Sequence, residues 1–435
     1  MASDFRDRLR PFPLLFELLA VHVLVFFVVV ALTPIDQLFP NHADVVLYFQ
    51  VAERIVQGQV PYADFGLEYP PAALIPIVLP YLSWPVQPLT FETYQWLFLA
   101  QSALISVLVA ATVAWIGFRQ AAAKGMVLGV SRHILAATAI APIMAWRFDL
   151  FPAALAIAGV ASAIGGRPAL AGALLGVGMA AKVFPVVLMP VLALLYLATR
   201  QWPAMGRLVA GFVVAASAAW LPIVALAPGE AFSFVQWQQE RPIQIESIQG
   251  GFHLLLGMLF ETGVGIIQNF GSVNVLFPGT DQGLGGQSVI VVSALLLVLG
   301  LVFLRFRRDA ADGSPEPGTI VAAAAAVLLT LLVTNKVFSP QYVIWLIPFA
   351  ALLTRGQAYL VAAASLVTSV IFPLNYEQLI AQEPWPIVLV NIRNGLVVAV
   401  LAWVLVRWFV PWVDVARQRS RRTNSVDAAV ETART

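Results

Sequence analysis

A succession of long apolar runs, separated by short polar segments, occupies the sequence from about residue 14 to residue 410. Of the 435 residues, 60% are hydrophobic and 11% are charged, whereas a soluble domain averages about 25% charged residues. So few charged side chains cannot cover the surface of a soluble fold. The chain is therefore predicted to be an integral membrane protein, and its composition excludes a soluble enzyme, a disordered protein and a nucleic-acid-binding domain.

The apolar runs predict an all-α polytopic membrane protein with about twelve transmembrane helices. The run at 14–32 is longer than the apolar core of a signal peptide, so it is predicted to remain as the first span. The Pro-rich run at 71–84 is predicted to enter the membrane and return, or to form a short extra helix. Several later runs have only about 14–17 residues, and spans this short must tilt, break or lie inside the bundle. The later runs lie at 91–117, 133–146, 148–164, 169–182, 184–199, 207–227, 288–304, 319–335, 341–354, 357–373 and 391–410.

Lysine and arginine, which concentrate on the cytoplasmic side of membrane proteins, set the predicted orientation. If 71–84 does not cross, most of the 25 Lys and Arg residues fall in cytoplasmic segments and both chain ends are cytoplasmic. If it crossed, every later loop would change sides and the rule would fail. The predicted divisions are a cytoplasmic N-terminus (1–12), a transmembrane domain (13–412) with outer loops at 35–70 and 228–287, and a basic cytoplasmic tail (413–435).

The first outer loop contains the stretch DVVLYFQVAERIVQG, residues 44–58. Its apolar residues recur at helical spacing, which predicts an amphipathic helix on the outer membrane surface. Asp44 begins this helix and could simply cap its N-terminus. It could also act as a general base toward a hydroxyl substrate that reaches the membrane surface. The two roles are compatible because a helix N-terminus keeps a carboxylate ionised.

Five cations fall in short strings at the predicted outer boundary, and charged side chains in a membrane protein usually have a function. The cations are Arg147 in WRFDLFPA, Lys182 in AAKVFPVVLMP, Arg241 in ERPIQIES, Lys336 in NKVFSPQYVIWLIP and Arg393 in VNIRNG. Five cations at one membrane face suit an anionic group such as the phosphate of a lipid head group. Simpler interpretations stay open: Arg147 and Asp149 could neutralise each other, Lys182 could extend its ammonium to the interface, and the loop around Arg241 could be solvated.

Further polar side chains near these cations could bind a sugar or an acceptor. These are Asp64, Glu68, Tyr69, Glu246, His253, Gln341 and Tyr342. A structural role is the simpler interpretation of the isolated His253. The chain has no cysteine, which excludes disulfides, thiolate metal sites and cysteine nucleophiles.

Taken in order, these strings resemble the membrane-embedded GT-C glycosyltransferases, and more narrowly the glycosyltransferase 87 group of actinobacteria. The shared features are an Asp-x-x-x-Tyr helix followed by YPP, then RFDLFPA, KVFPVVLMP, ERPIQIES and SPQYVIWLIP. Each string is short, but the ordered set covers roughly residues 15–410. That group includes polyprenol-phosphate-mannose-dependent α-mannosyltransferases and related arabinofuranosyltransferases. The resemblance implies a GT-C-type helical bundle with amphipathic helices in its outer loops.

The resemblance also implies a polyprenyl-phosphate sugar donor, chemistry on the outer face of the plasma membrane, and a catalytic acidic residue that matches Asp44. Mannose is the sugar we expect, and the acceptor is a hydroxyl of a glycolipid or polysaccharide. Many GT-C enzymes carry paired acids in the first loop, but Asp44 has no acidic neighbour, so neither a metal nor another cofactor is expected. Three alternatives stay open: an arabinofuranosyltransferase of the same fold, a secondary transporter with broken helices, and a lipid-linked oligosaccharide ligase or polymerase.

Overall fold

The computed structural model describes residues 11–32, 35–86, 88–276 and 284–432, and the predicted N-terminal segment 1–12 lies almost entirely outside these ranges. The helices are α1 (Pro11–Leu32), α2 (Ile35–Val56), α3 (Leu74–Leu82), α4 (Phe91–Ala139), α5 (Ala141–Met144), α6 (Leu150–Ile164), α7 (Pro168–Ala181), α8 (Leu188–Ala198), α9 (Trp202–Leu226), α10 (Ser233–Glu240), α11 (Ile248–Phe260), α12 (Leu284–Ala311), α13 (Pro317–Thr334), α14 (Val343–Ala350), α15 (Arg355–Ile371), α16 (Tyr376–Ile380) and α17 (Pro384–Thr432). Short 3₁₀ turns precede α3, α8 and α14.

The prediction of an all-α polytopic membrane protein is confirmed. In the described part of the chain, six helices are long and apolar enough to cross a bilayer: Pro13–Leu32, Phe91–Ala139, Trp202–Leu226, Gln287–Ala311, Pro317–Thr334 and Pro384–Trp408. Shorter apolar helices stand where the sequence predicts the short spans, at Leu150–Ile164, Pro168–Ala181 and Phe184–Ala198. The Pro-rich run predicted at 71–84 forms a short helical segment, Pro71–Leu82.

The long helix α4 is two antiparallel arms, which explains why the sequence shows two apolar runs there. Its backbone leaves the helical region at Ala121 and Ala122. Beyond this break the chain turns back on itself. The close approach of Gly117 and Gly125 shows this, since a Cβ atom on Gly117 would lie 2.4 Å from the carbonyl oxygen of Gly125. Only glycine permits two helix backbones to approach so closely. Helices α7 and α9 pack in the same way, since a Cβ on Gly172 would lie 1.9 Å from the carbonyl oxygen of Leu208.

The amphipathic helix predicted to lie on the outer membrane surface is present as α2, but its apolar face packs against the protein. Val45, Tyr48 and Ala52 are buried in the main hydrophobic core. The ring of Tyr48 contacts Phe98 and Phe148, with ring centroids 5.5 and 5.7 Å away. The predicted amphipathic helix is therefore confirmed, and the structure adds that its apolar face packs on the core of the protein. A hydrophobic stripe shows which face of a helix avoids water, but it does not show whether lipid or protein covers that face.

A β-hairpin, which the sequence analysis did not predict, lies in the second predicted outer loop. Strands β1 (Gly265–Asn269) and β2 (Ser272–Leu276) pair antiparallel. The two residues between them, Phe270 and Gly271, both have positive φ angles, as the tightest hairpin turns require. The preceding segment joins this sheet through hydrogen bonds from Ile245 N to the Val273 oxygen and from Val275 N to the Ile243 oxygen. The hairpin therefore holds the backbone immediately before Glu246.

Candidate active site

Charged side chains that are far apart in the sequence meet at one end of the bundle, where α7, α13 and α15 end and α6 begins. We call this the site end. Asp44 comes from α2, and Arg147 lies in the turn between α5 and α6. Glu246 precedes α11, and Arg393 lies near the start of α17. Arg147 and Glu246 come from segments between helices, whereas Asp44 and Arg393 are carried by helices.

Asp44 forms an ion pair with Arg147, and the side chain of Arg147 is 6% exposed whereas that of Asp44 is 29% exposed. Asp44 lies inside α2, which begins at Ile35, so the alternative that it caps the helix N-terminus is wrong. Arg147 also lies within electrostatic range of Asp149 and Glu246. The carboxylate of Asp44 is thus accessible to solvent, whereas the guanidinium of Arg147 is enclosed by protein.

Asp149 is buried and pairs with Lys182, whose ammonium nitrogen lies 2.7 Å from Asp149 Oδ1. The indole nitrogen of Trp345 donates a hydrogen bond to the same oxygen, also at 2.7 Å. The Lys182 ammonium lies 5.0 Å from the ring centroid of Phe148 and 5.4 Å from that of Tyr342, where cation–π attraction adds to the ion pair. The alternative of an Arg147–Asp149 pair is replaced by two separate pairs, and the charge of Lys182 is directed at Asp149.

Glu246 is almost completely buried beside three arginines. Its carboxylate accepts a hydrogen bond from Gln244 Nε2 at 3.2 Å and a longer one from the Tyr376 hydroxyl at 3.4 Å. Burial raises the pKa of the Glu246 carboxyl to about 7, although Arg393, Arg147 and Arg241 favour its ionised form. Near neutral pH this carboxyl group therefore exists in both protonation states.

Arg393 presents unsatisfied donors inside this cluster. Its guanidinium is 1% exposed, and Nη2 donates to the backbone oxygen of Glu246 at 2.7 Å. Among the residues that the structure describes, Nε and Nη1 have no hydrogen-bond partner. A buried guanidinium edge without acceptors is costly, and an anionic ligand would satisfy it.

Arg241 and Lys336 lie on the margin of the cluster. Arg241 Nε donates to Ser272 Oγ of the hairpin at 3.0 Å. The ammonium of Lys336 donates to the backbone oxygen of Gln239 at 2.8 Å. The two cations lie within electrostatic range of each other. Burial is the main cause that lowers the pKa of the Lys336 ammonium, and repulsion by Arg241 lowers it further. The five cations predicted from the sequence are thus all placed at the site end, three of them around Glu246.

The predicted sugar-binding residues divide between the cluster and its surroundings. Glu68 lies within electrostatic range of Tyr69, and the ring of Tyr69 packs against Phe148 with the ring centroids 4.9 Å apart. Tyr342 stacks on Trp345, with 3.9 Å between ring centroids. Tyr69 also packs against Tyr48 of α2, with 6.3 Å between the ring centroids.

Three predicted residues stand apart from this arrangement. Asp64 is exposed, and its carboxylate closes a local turn by accepting from Val60 N at 2.7 Å. His253 lies on α11 with its ring edge-on to Phe252. Gln341 is partly buried and directly precedes Tyr342.

Sequence reasoning missed two members of the cluster. Trp345 holds Asp149, and Tyr376 reaches Glu246 from helix α16. Trp345 belongs to the string NKVFSPQYVIWLIP, but a tryptophan in an apolar run is normally a packing residue. Tyr376 is the first residue of α16 and belongs to none of the strings that carry the five cations. In the described part of the chain, no three His, Asp or Glu side chains come together in a way that could hold a metal ion.

The raised pKa of Glu246 predicts a specific pH dependence of stability. A carboxyl group whose pKa is higher in the folded than in the unfolded protein stabilises the fold at low pH, and this contribution is lost as the pH rises through the folded-state value. For Glu246 the window runs from 4.5 to about 7. We expect the melting temperature of the detergent-solubilised protein to fall by a few degrees across this window, and Glu246→Gln to remove that fall. The exposed Glu240, which precedes the same segment, provides the control Glu240→Gln, and equal slopes for the wild type and Glu246→Gln would contradict the assignment.

We compared the chain with protein families, curated proteins and solved structures. No protein-family model matches the chain, and no curated protein matches it. Among solved structures, the chain is similar to the crystal structure of ArnT from Cupriavidus metallidurans in the apo state, with 16% sequence identity and a TM-score of 0.47. The match covers 90% of this chain and 76% of that chain. At this identity and score the similarity assigns neither a reaction nor a substrate.

Proposed function

We propose that this chain is a GT-C-type membrane glycosyltransferase that transfers a single sugar from a polyprenyl-phosphate donor to a hydroxyl group. Mannose is the proposed sugar, and the acceptor is a glycolipid or polysaccharide on the outer face of the plasma membrane. The observation that carries this proposal is the partly exposed carboxylate of Asp44, paired with the buried Arg147 at the edge of a cationic cluster at one end of the helical bundle. A base and an anion site side by side are what transfer from a lipid phosphate requires.

The donor phosphate is assigned to the cationic part of the cluster. Arg393 offers buried N–H groups without acceptors, while Arg241 and Lys336 stand at the margin. Arginine binds phosphate through two parallel hydrogen bonds, and the polyprenyl chain would remain among the lipid-facing helices. Lys182 contributes indirectly, since its ammonium holds Asp149 beside Arg147.

The reaction is a single displacement. The acceptor hydroxyl gives its proton to Asp44 as its oxygen forms a bond with the anomeric carbon of the donor sugar. The bond from that carbon to the phosphate oxygen breaks on the opposite side, so the configuration inverts and the lipid phosphate leaves with the bonding electrons. The cations stabilise the charge that grows on this phosphate, which is where preorganised electrostatics lower the barrier. Glu68, Tyr69 and Glu246 are proposed to bind sugar hydroxyls.

A secondary transporter is the second candidate, and the position of the lysines argues against it. Transporters bind their substrates near the middle of the membrane. Lys182 instead directly follows the last residue of α7, and Lys336 follows the end of the 18-residue helix α13. Both lysines thus stand at helix ends, at the same end of the bundle as Asp44.

An assay in native-like membranes tests the proposed function. Membranes that contain the full chain are incubated with radiolabelled polyprenyl-phosphate mannose and a lipid extract, and membranes without the chain serve as the control. We expect a new labelled glycolipid or glycan that forms only in the presence of the chain. Transfer from polyprenyl-phosphate arabinose alone would reassign the donor sugar. Transfer from an oligosaccharide pyrophosphate alone, or transfer from no donor, would overturn the proposal.

A further inference from the structure

A polar cavity lies at the end of the bundle opposite the site end. It has a volume of about 590 Å³ and is lined in part by Arg119, Gly318 and Arg407. Helix α13 begins at this cavity and ends beside Lys336, and its 18 residues extend about 27 Å. That length is close to the thickness of the hydrocarbon core, about 30 Å. The cavity is therefore separate from the proposed active site and lies near the other membrane boundary.

Three arginines from three different helices face this cavity. Arg119 comes from the first arm of α4, Arg305 from α12 and Arg407 from α17. Arg305 is already paired with Asp309, at 3.0 Å, so Arg119 and Arg407 are the cations that a ligand would meet. Glu316 is the acidic residue among those that line the cavity. The balance of charge is positive, which suits an anion.

The start of α13 adds hydrogen-bond donors to these charges. Pro317, Gly318 and Thr319 open onto the cavity. Pro317 has no N–H group, and Thr319 N donates to the backbone oxygen of Glu316 at 3.0 Å, so the N–H of Gly318 is the donor that this turn can offer to a ligand. The N-cap residue Glu316 makes no side-chain capping hydrogen bond. By contrast, the nearby start of α15 is capped by its own side chains. Gln357 Oε1 accepts hydrogen bonds from both the backbone nitrogen and the hydroxyl of Thr354. The α13 N-terminus therefore remains available to a bound anion.

An unsatisfied side chain points to the same place. Gln120 lines the cavity, and its Nε2 is buried without a hydrogen-bond partner among the described residues. This nitrogen lies 3.8 Å from the position that a Cβ atom on Gly318 would occupy. A buried amide group without a partner requires an explanation, and an anion held at the start of α13 would accept its hydrogen bond.

We propose that this cavity binds a phosphate-bearing anion. Arg119 and Arg407 supply the charge, while the Gln120 amide and the N–H of Gly318 supply neutral donors. Leu352, Val404 and Trp408 form an apolar part of the wall. A phospholipid head group and a soluble phosphate ester share this chemistry, and basic pockets between transmembrane helices are known binding sites for lipid head groups. The inference does not depend on the proposed transferase activity.

Binding to the purified full-length chain in neutral detergent tests the proposal. Native mass spectrometry counts bound phosphatidylglycerol against phosphatidylcholine, and thermal-shift titration compares glycerol 3-phosphate with glycerol. The double variant Arg119→Gln/Arg407→Gln is expected to weaken binding of the phosphate ligand at least about tenfold. Arg307→Gln is the matched control, because Arg307 stacks on Phe303 at 5.9 Å as Arg119 stacks on Trp115 at 5.6 Å, yet Arg307 does not line the cavity.

A second variant separates loss of binding from loss of folding. Gly318→Asp places a carboxylate in the first turn of α13, where it favours the helix but repels an anion. We expect normal folding and the same loss of binding. Binding of phosphatidylglycerol alone identifies a lipid head group, and binding of glycerol 3-phosphate alone identifies a soluble ligand. Equal binding by the wild type and both variants, or no preference of the wild type for either phosphate probe over its uncharged or zwitterionic partner, would overturn the proposal.

Discussion

Asp44→Asn is expected to lower the rate of sugar transfer by about 1,000-fold, which is the range for loss of a general base. Asn keeps the size of the side chain but cannot take the proton of the acceptor hydroxyl. The carboxylate is 29% exposed, so a substrate can reach it. The Arg147 guanidinium that loses this partner keeps Asp149 and Glu246 within electrostatic range. The measurement is the initial rate of transfer from the polyprenyl-phosphate sugar at saturating donor and acceptor, with the melting temperature recorded in parallel.

The control for this variant comes from the same helix. Glu53 is also carried by α2 and is also partly buried, but no contact described above connects it with the cluster. Glu53→Gln is expected to keep the transfer rate of the wild type. A rate within a few-fold of the wild type for Asp44→Asn would show that another group, or water alone, accepts the proton.

Arg147→Gln is expected to destabilise the protein by about 3–5 kcal/mol, because it removes a cation from beside the buried carboxylates of Asp149 and Glu246. Arg147 pairs with Asp44 and lies within electrostatic range of Asp149 and Glu246. Without the guanidinium, this end of the bundle would hold three carboxylates close to one another with fewer compensating cations. The measurements are the melting temperature in detergent and the monodisperse fraction on size-exclusion chromatography.

A second substitution shows whether the ion pair is responsible. The double variant Asp44→Asn/Arg147→Gln replaces two charges with two amides that can hydrogen-bond to each other. We expect it to regain much of the lost stability while sugar transfer remains absent, since the base is gone. If the double variant instead loses as much stability as the two single variants added together, Arg147 is required for contacts other than its pair with Asp44.

These two predictions separate the assembly of the site from its chemistry. Asp44 is the partner that a substrate can reach, whereas Arg147 is enclosed and connects Asp44 with the buried Glu246. A cluster that alternates acids and cations can keep charges below the membrane boundary because each charge lies beside an opposite one. Removal of a buried cation should therefore affect folding more strongly than removal of the exposed carboxylate.

The positions of the helices could be predicted because lipid imposes a simple rule on sequence. Backbone polar groups in a bilayer must be satisfied within a helix, so apolar runs such as 319–335 mark helices such as α13 directly. The position of Arg147 and Lys182 at one end of the bundle was also predictable, since helix ends are where charged side chains can be accommodated, whereas Arg393 lies inside α17.

The partners of these charges could not be predicted, because side chains from distant segments meet only after packing. Asp149 is two residues from Arg147, yet it pairs with Lys182, and Arg147 pairs instead with Asp44, more than 100 residues earlier. The hairpin that holds the backbone before Glu246 was likewise hidden, because its strands are short and lie in a polar loop.

Hydropathy along the chain was enough to establish a membrane-embedded helical protein with its charges gathered at helix ends, because the cost of placing polar groups in lipid acts on every residue individually. Tertiary packing decided that α2 covers the core instead of lying on lipid, and which carboxylate faces solvent and which is buried. Those outcomes depend on the distances between non-neighbouring segments, and electrostatic interactions change steeply with such distances and with burial.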